Sequence, residues 1–219
     1  MKKYIKILKN CPLFYDIEEE QLLKMLACLN VRVEKFDKKY TVMPEGSTAK
    51  YIGIILSGSV QLYNIDYFGN RSILDIFGPS ESFAEAFACS GIGTTPVTVV
   101  ANEPCEIMFI ESERIMRTCS NQCAFHQQLI FNLMRDLASK VITFHQRIEI
   151  ISKRTTREKL ISYLLFQSKK AKSKTFVIPF DRQELADYLE VDRSGLSSEI
   201  GKLKKEGFLN CSKNQFELL

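Results

Sequence analysis

The sequence contains no tryptophan, only two histidines, and no CxxC pair among its seven cysteines. Each absence removes a class of chemistry. His126 and His145 stand nineteen residues apart, both beyond the strand-rich part of the chain. They cannot form the His/Glu metal cluster that an enzyme on a cupin-like barrel would need. Without paired cysteines, the spacing for tetrahedral zinc or an iron–sulfur cluster is missing, and no histidine in the strand region could ligate haem. The expectation is no metal and no such cofactor. Long apolar runs are also lacking: stretches such as YIGIILSGSV are too short to span a bilayer. The first residues, MKKYIKILKN, have neither a long apolar core nor a small-residue cleavage site. A cytoplasmic protein with no membrane partner follows as an expectation. The cysteines then read as free, mostly buried thiols, and a redox role for Cys119 and Cys123, four apart, stays open.

One further scarcity is local. Phe83 to Val100, FAEAFACSGIGTTPVTVV, spans eighteen residues with a single charge, Glu85. Its glycines, proline and threonines suit a binding loop, yet it offers no cation to an anionic ligand.

What the chain does contain is ordered along its length. DIEEEQLLKMLACL reads as a short amphipathic helix, with Asp16 as N-cap and Glu19 completing a capping box. From Val31 to about Ile110, short runs of β-branched and aromatic residues (VRVEKF, YIGIIL, SVQLYNI, SILDIF, VTVVA, CEIMFI) alternate with turn signals at Gly, Pro and Asn. That pattern predicts a small antiparallel jelly roll or barrel, with Gly58 and Gly69 at hairpin turns. A long helix is predicted from about Cys119 to Ile151. In it Ile130, Leu133, Leu137, Val141, Phe144 and Ile148 recur at steps of three and four, close to a heptad seam. Such a stripe must be buried, and a second copy of the helix is an economical partner, so these six residues form the expected dimer interface.

The last third is the basic end: Ser152 to Leu219 carries 14 Lys and Arg against 9 Asp and Glu. A polyanion partner is plausible there. Asp181 and Glu184 form a second capping box, EVD (190–192) is a turn, and another helix starts near Arg193 and ends before Gly207. Two short helices joined by a tight turn make a helix-turn-helix. FLNCSKNQFELL would supply a winged hairpin. Arg193, Ser194, Ser197, Ser198 and Lys202 occupy the exposed face of the second helix, and Arg182 and Gln183 stand at the start of the first. These seven are the candidate DNA-binding residues.

In PLF (12–14), ILSGSVQLY (55–63), GPSESFAEA (78–86), the long helix and DRQELADYLEVDRSGLSSEI (181–200), the chain resembles the Crp/Fnr family of bacterial transcription regulators. The resemblance implies an α+β architecture: an effector-sensing β-roll (1–118), a dimerisation helix (119–151) and a winged helix-turn-helix DNA-binding domain (152–219). It implies a homodimer reading an inverted-repeat operator of double-stranded DNA, with RNA polymerase as a further candidate partner. It also identifies the Phe83–Val100 stretch as the family's phosphate-binding cassette. In cyclic-AMP-binding members a Glu meets the ribose hydroxyl and an Arg-Ser pair grips the cyclic phosphate. Glu85 matches the first, whereas the pair falls on Thr95 and Pro96. A buried phosphate without its cation loses on the order of 3–5 kcal/mol, roughly a factor of 10² to 10³ or more in affinity. Cyclic AMP is therefore not expected as ligand. Glu85, Thr94, Thr95 and Thr98 are candidate contacts for a different, unidentified small-molecule effector. Many relatives place a guanine-reading Arg where Ser198 stands, so the operator sequence is expected to differ. The competing reading is a cyclic-nucleotide-type regulatory or ligand-binding module without a DNA-reading role.

Overall fold

The computed structural model describes residues 1–117 and 124–219. Cys119 and Cys123 lie outside the described residues. The chain forms two compact units, one of Met1–Asn64 with Asp75–Val141, the other of Ile65–Leu74 with Ile142–Leu219.

The first unit opens with α1 (Ile5–Lys9), a single 3-10 turn at Pro12–Phe14 and α2 (Glu19–Cys28). The Asp16 capping box is not formed: α2 begins after Glu18 without a side-chain cap. Asp16 instead takes a φ of 57°, turning the chain upstream of the helix. Strands β1 (Arg32–Phe36), β2 (Thr41–Met43), β3 (Tyr51–Ser57), β4 (Val60–Ile65), β5 (Arg71–Phe77) and β6 (Ser82–Phe83) follow. Then come α3 (Glu85–Ser90), β7 (Thr98–Ala101), β8 (Cys105–Glu111) and α4 (Ser112–Met116). The strands make two four-stranded sheets, ordered β1-β8-β3-β6 and β2-β7-β4-β5, with antiparallel registers such as Ile54 opposite Met108. Gly58 and Gly69 have φ of 73° and 85°, the left-handed values expected at the turns. Gly53 matters for another reason: a Cβ there would meet the ring of buried Phe83 at 2.1 Å. Only glycine lets that ring, at the start of the Phe83–Val100 stretch, lie against β3.

One long helix, α5, covers Ala124–Ile151. Its inner face joins the hydrophobic core through Leu129 and Leu133, with Ile130 and Leu137 packed against the same cluster of α1, α2, β3 and β8 side chains. The expected dimer stripe is thus divided along its length. Leu133 is 5% exposed within its own chain, while Val141, Phe144 and Ile148 are open to solvent. Beside the open part runs a second set at steps of three and four, namely Phe131, Met134, Ala138, Val141, His145 and Ile148, all exposed. A polar row faces inward: Asn132, Asp136 and Arg147 are buried and Lys140 is half-buried. Asn132 donates to the carbonyls of Leu13 and Tyr15, fixing the Pro12–Phe14 turn on α5. His126 is a packed histidine, its Nε2 bonded to the Ile115 carbonyl at 2.9 Å.

In the second unit, α6 (Thr156–Ala171) starts from a Thr155–Glu158 capping box that the sequence reading passes over. Its last turn takes in Lys169 and Lys170. β9 (Thr175–Val177), α7 (Arg182–Leu189), α8 (Arg193–Lys205), β10 (Leu209–Ser212) and β11 (Gln215–Leu218) complete the chain. The core here is aromatic: Tyr163, Phe180 and Tyr188 pack together, and Phe176 stacks on Phe216. The wing is a three-stranded sheet, β10-β11-β9, one strand more than the expected hairpin.

Among the described residues no helix is long and apolar enough to cross a membrane. Nor does any group of three His, Cys, Asp or Glu side chains come together to hold a metal ion.

Candidate nucleic-acid interface and cassette

The helix-turn-helix is built by caps. Asp181 accepts from the Glu184 amide at 2.9 Å, while Glu184 accepts from the Asp181 amide at 2.8 Å, so both orphan donors at the start of α7 are satisfied. Glu190 closes α7 in the left-handed region at φ 53°. Two residues later Asp192 caps α8, accepting from the Gly195 amide at 2.9 Å and the Ser194 hydroxyl at 2.5 Å. The Ser194 and Gly195 hydrogen bonds hold the Asp192 carboxyl below its ordinary pKa. Leu196, Ile200 and Leu203 are buried, which fixes the rotation of α8 and turns the opposite face to solvent.

On that face the candidate residues divide by what they already bind. Arg193, Ser197 and Ser198 are exposed, and their side chains make no hydrogen bond or ion pair with the described residues. Ser194 serves the cap, and Lys202 pairs with Glu199 at 2.5 Å. Gln183 donates to Asp187 on its own helix. Arg182 is half-buried against the wing, its guanidinium 5.0 Å from the Phe216 ring centre and 3.3 Å from the Cys211 sulfur. Lys213, exposed at the wing turn with φ 52°, is a cation on the same unit that sequence reasoning did not single out. Its only prior signal was its place in the predicted hairpin.

The cassette threonines and Glu85 are engaged within the chain. Thr95 is buried; its hydroxyl donates to the Pro44 carbonyl at 3.0 Å and its amide to the Ser47 carbonyl at 2.8 Å. Thr98 Oγ1 accepts from the Glu45 amide, and Thr94 is exposed, bridged to Thr48. The segment read as a loop begins with a helical turn, α3, after Ala84 in the left-handed region. Glu85, in the first turn, is 3% exposed, and its Oε1 forms an ion pair with the Lys140 ammonium of α5. Lys140 also bonds the Ser82 carbonyl at 2.8 Å, the Ser82 hydroxyl at 2.9 Å and Asp136 Oδ2 at 3.1 Å. The Ser82 hydroxyl in turn lies 2.8 Å from Asp136 Oδ2. Burial works against the charged ammonium, but Glu85 and Asp136 outweigh it and hold the Lys140 pKa above its ordinary value. This cation, invisible in the cassette's own sequence, comes from 55 residues away.

Comparison with known proteins fits both halves. The family described as cyclic nucleotide-binding domain matches residues 33–122, and the Crp-like helix-turn-helix domain matches residues 158–219. The chain is 23% identical over 189 residues to the transcriptional activator protein FnrA of Stutzerimonas stutzeri, covering 83% of this chain and 74% of that one. It is 21% identical over 210 residues to the probable transcriptional regulator flp of Lacticaseibacillus casei, covering 95% and 91%. Among solved structures it is similar to the c-di-GMP responsive global regulator CLP of Xanthomonas campestris. The TM-score there is 0.75 at 17% identity, with 92% of this chain and 99% of that chain covered. A nucleotide-binding-type β-sandwich, a long helix and a capped helix-turn-helix with a wing, in that order, place the chain in the Crp/Fnr family of DNA-binding, non-enzymatic transcription regulators.

Proposed function

We propose that the protein acts as a homodimer that reads an inverted-repeat operator, with α8 of each copy in a major groove and its control running through something other than cyclic AMP. The observation carrying the DNA reading is the exposed face of α8. The side chains of Arg193, Ser197 and Ser198 stand there without partners among the described residues, on a helix whose rotation is fixed by three buried side chains and a cap. Groove-reading helices use such residues near their N-terminal end. The functional division is a sensing part (1–118), a dimerisation helix (119–151) and a DNA-binding part (152–219). The exposed heptad set on α5 supports a self-complementary pairing of two copies. Refined by exposure, the interface is Phe131, Met134, Val141, Ile142, Phe144 and Ile148, while Ile130, Leu133 and Leu137, which pack on their own core, drop out. Cyclic AMP is disfavoured because Thr95, the uncharged residue where cyclic-AMP-binding members carry the gripping Arg, is buried and bonded to backbone.

Selection from random-sequence duplexes by gel shift tests the proposal. An enriched inverted repeat, with half-sites about one helical turn apart, is the expected result. Enrichment of a single asymmetric site, or none, would overturn it.

A further inference from the structure

The Lys140 ammonium touches three separate segments. It bonds the Ser82 carbonyl and hydroxyl of β6, the Glu85 carboxylate of α3 and the Asp136 carboxylate on its own helix, α5. Glu85 and Asp136 are both buried, so two carboxylates share one ammonium away from bulk water. The second oxygen of Glu85, Oε2, is buried as well, so a ligand hydroxyl could reach it only after the cluster opens. Without the ammonium, two like charges would face each other with little solvent to screen them. The phenyl ring of Phe77 lies 5.2 Å from Nζ and covers the cation on another side. Cassette, strand and helix are therefore joined through one nitrogen atom.

We propose that the cassette is occupied from within. The Lys140 ammonium fills the place of an external effector and holds β6, α3 and α5 in the arrangement that binds DNA, so operator binding requires no small molecule. The inference rests on the DNA-binding reading above for one of its two readouts. Because the group that matters is a primary ammonium on a short alkyl chain, Lys140→Ala should leave a site for a free alkylammonium ion of matching length, n-propylammonium.

The experiment starts from full-length protein refolded out of denaturant, which strips any carried ligand, and measures operator affinity by fluorescence anisotropy. Wild type should bind with nothing added. Lys140→Ala should weaken binding at least tenfold, and millimolar n-propylammonium should recover a large part of that loss, whereas tetramethylammonium, which has no N–H donor, should not. Lys140→Arg, keeping the charge, should stay within a few-fold of wild type. Should Lys140→Ala fail to fold, Lys140→Met keeps the side-chain length without charge and should show the same loss. Equal operator binding by wild type and the uncharged variant would overturn the proposal. So would a refolded wild type that binds only after a small-molecule fraction of cell extract is supplied. A readout independent of DNA separates the two readings: amide exchange over Glu85–Ser90 should rise at least tenfold in Lys140→Ala and fall again with n-propylammonium. If no duplex is bound by any variant yet exchange behaves so, the DNA-binding reading fails and the internal occupant stands; unchanged exchange removes the occupant.

Discussion

Arg193 projects from the first turn of α8 with no side-chain partner among the described residues. It is the one α8 side chain before Lys202 whose donors could fork onto a guanine edge. Arg193→Ala should cost about 1–3 kcal/mol of operator affinity and relax selectivity at one base pair, whereas Ser198→Ala should cost much less. Competition binding on operator and scrambled duplex checks this; equal losses on both would reduce Arg193 to a phosphate contact. A second prediction belongs to Thr95. Its hydroxyl is bonded to the Pro44 carbonyl and it carries no charge, so calorimetry with cyclic AMP or cyclic GMP should show no binding in the micromolar range. At this scale the sequence was half legible. Glu85 could be matched to the cassette because it lies inside a recognisable local pattern. Its partner Lys140 could not, because nothing local couples residues 55 apart, and a lysine on a long helix defaults to solvent.

The apolar side chains of α5 serve two different surfaces, and substitutions should separate them. Leu133→Ala opens a cavity in the first unit's core and should cost about 2–5 kcal/mol of unfolding free energy without directly splitting the proposed dimer. Ile148→Asp lies on the open part, 57% exposed within one copy, so the fold should survive while pairing is lost. Two carboxylates, one per copy, would enter the seam at a combined cost of about 3–5 kcal/mol or more. Light scattering at micromolar concentration, read beside a denaturant melt, distinguishes the two outcomes. A dimer in Ile148→Asp would refute the seam. Periodicity alone could not make this division, since Ile130, Leu133 and Leu137 share their spacing with Val141, Phe144 and Ile148. What decides is the N-terminal helices covering only the first half. The long strands and both recognition-unit helices were legible for the opposite reason, since each has enough residues to show a period. β6, with two residues, and β2 and β9, with three each, are too short to show one.

For the whole molecule, two copies related by a two-fold axis would carry two basic DNA-binding parts, each with 14 Lys and Arg against 9 acidic residues. Operator affinity should therefore fall steeply with salt, by at least about tenfold between 50 and 200 mM. Lys213→Ala should flatten the salt slope by about one unit for each wing that touches phosphate. Titrations at four salt concentrations suffice, and a flat line would remove the phosphate contacts. The second unit also has a property that bears on how it can be cut out. It is not one stretch of chain: Ile65–Leu74 belongs to it. The join is Arg147, whose guanidinium donates to the Ile73 and Leu74 carbonyls at 2.7 and 3.1 Å and lies 4.9 Å from the Tyr188 ring. A fragment starting at Ile142 would keep that buried guanidinium and discard its two acceptors, whereas one starting at Ser152 would discard both. The shorter piece should accordingly be the better behaved in isolation, with the sharper thermal transition, and would make the sounder reagent for studying DNA contacts apart from the rest of the chain.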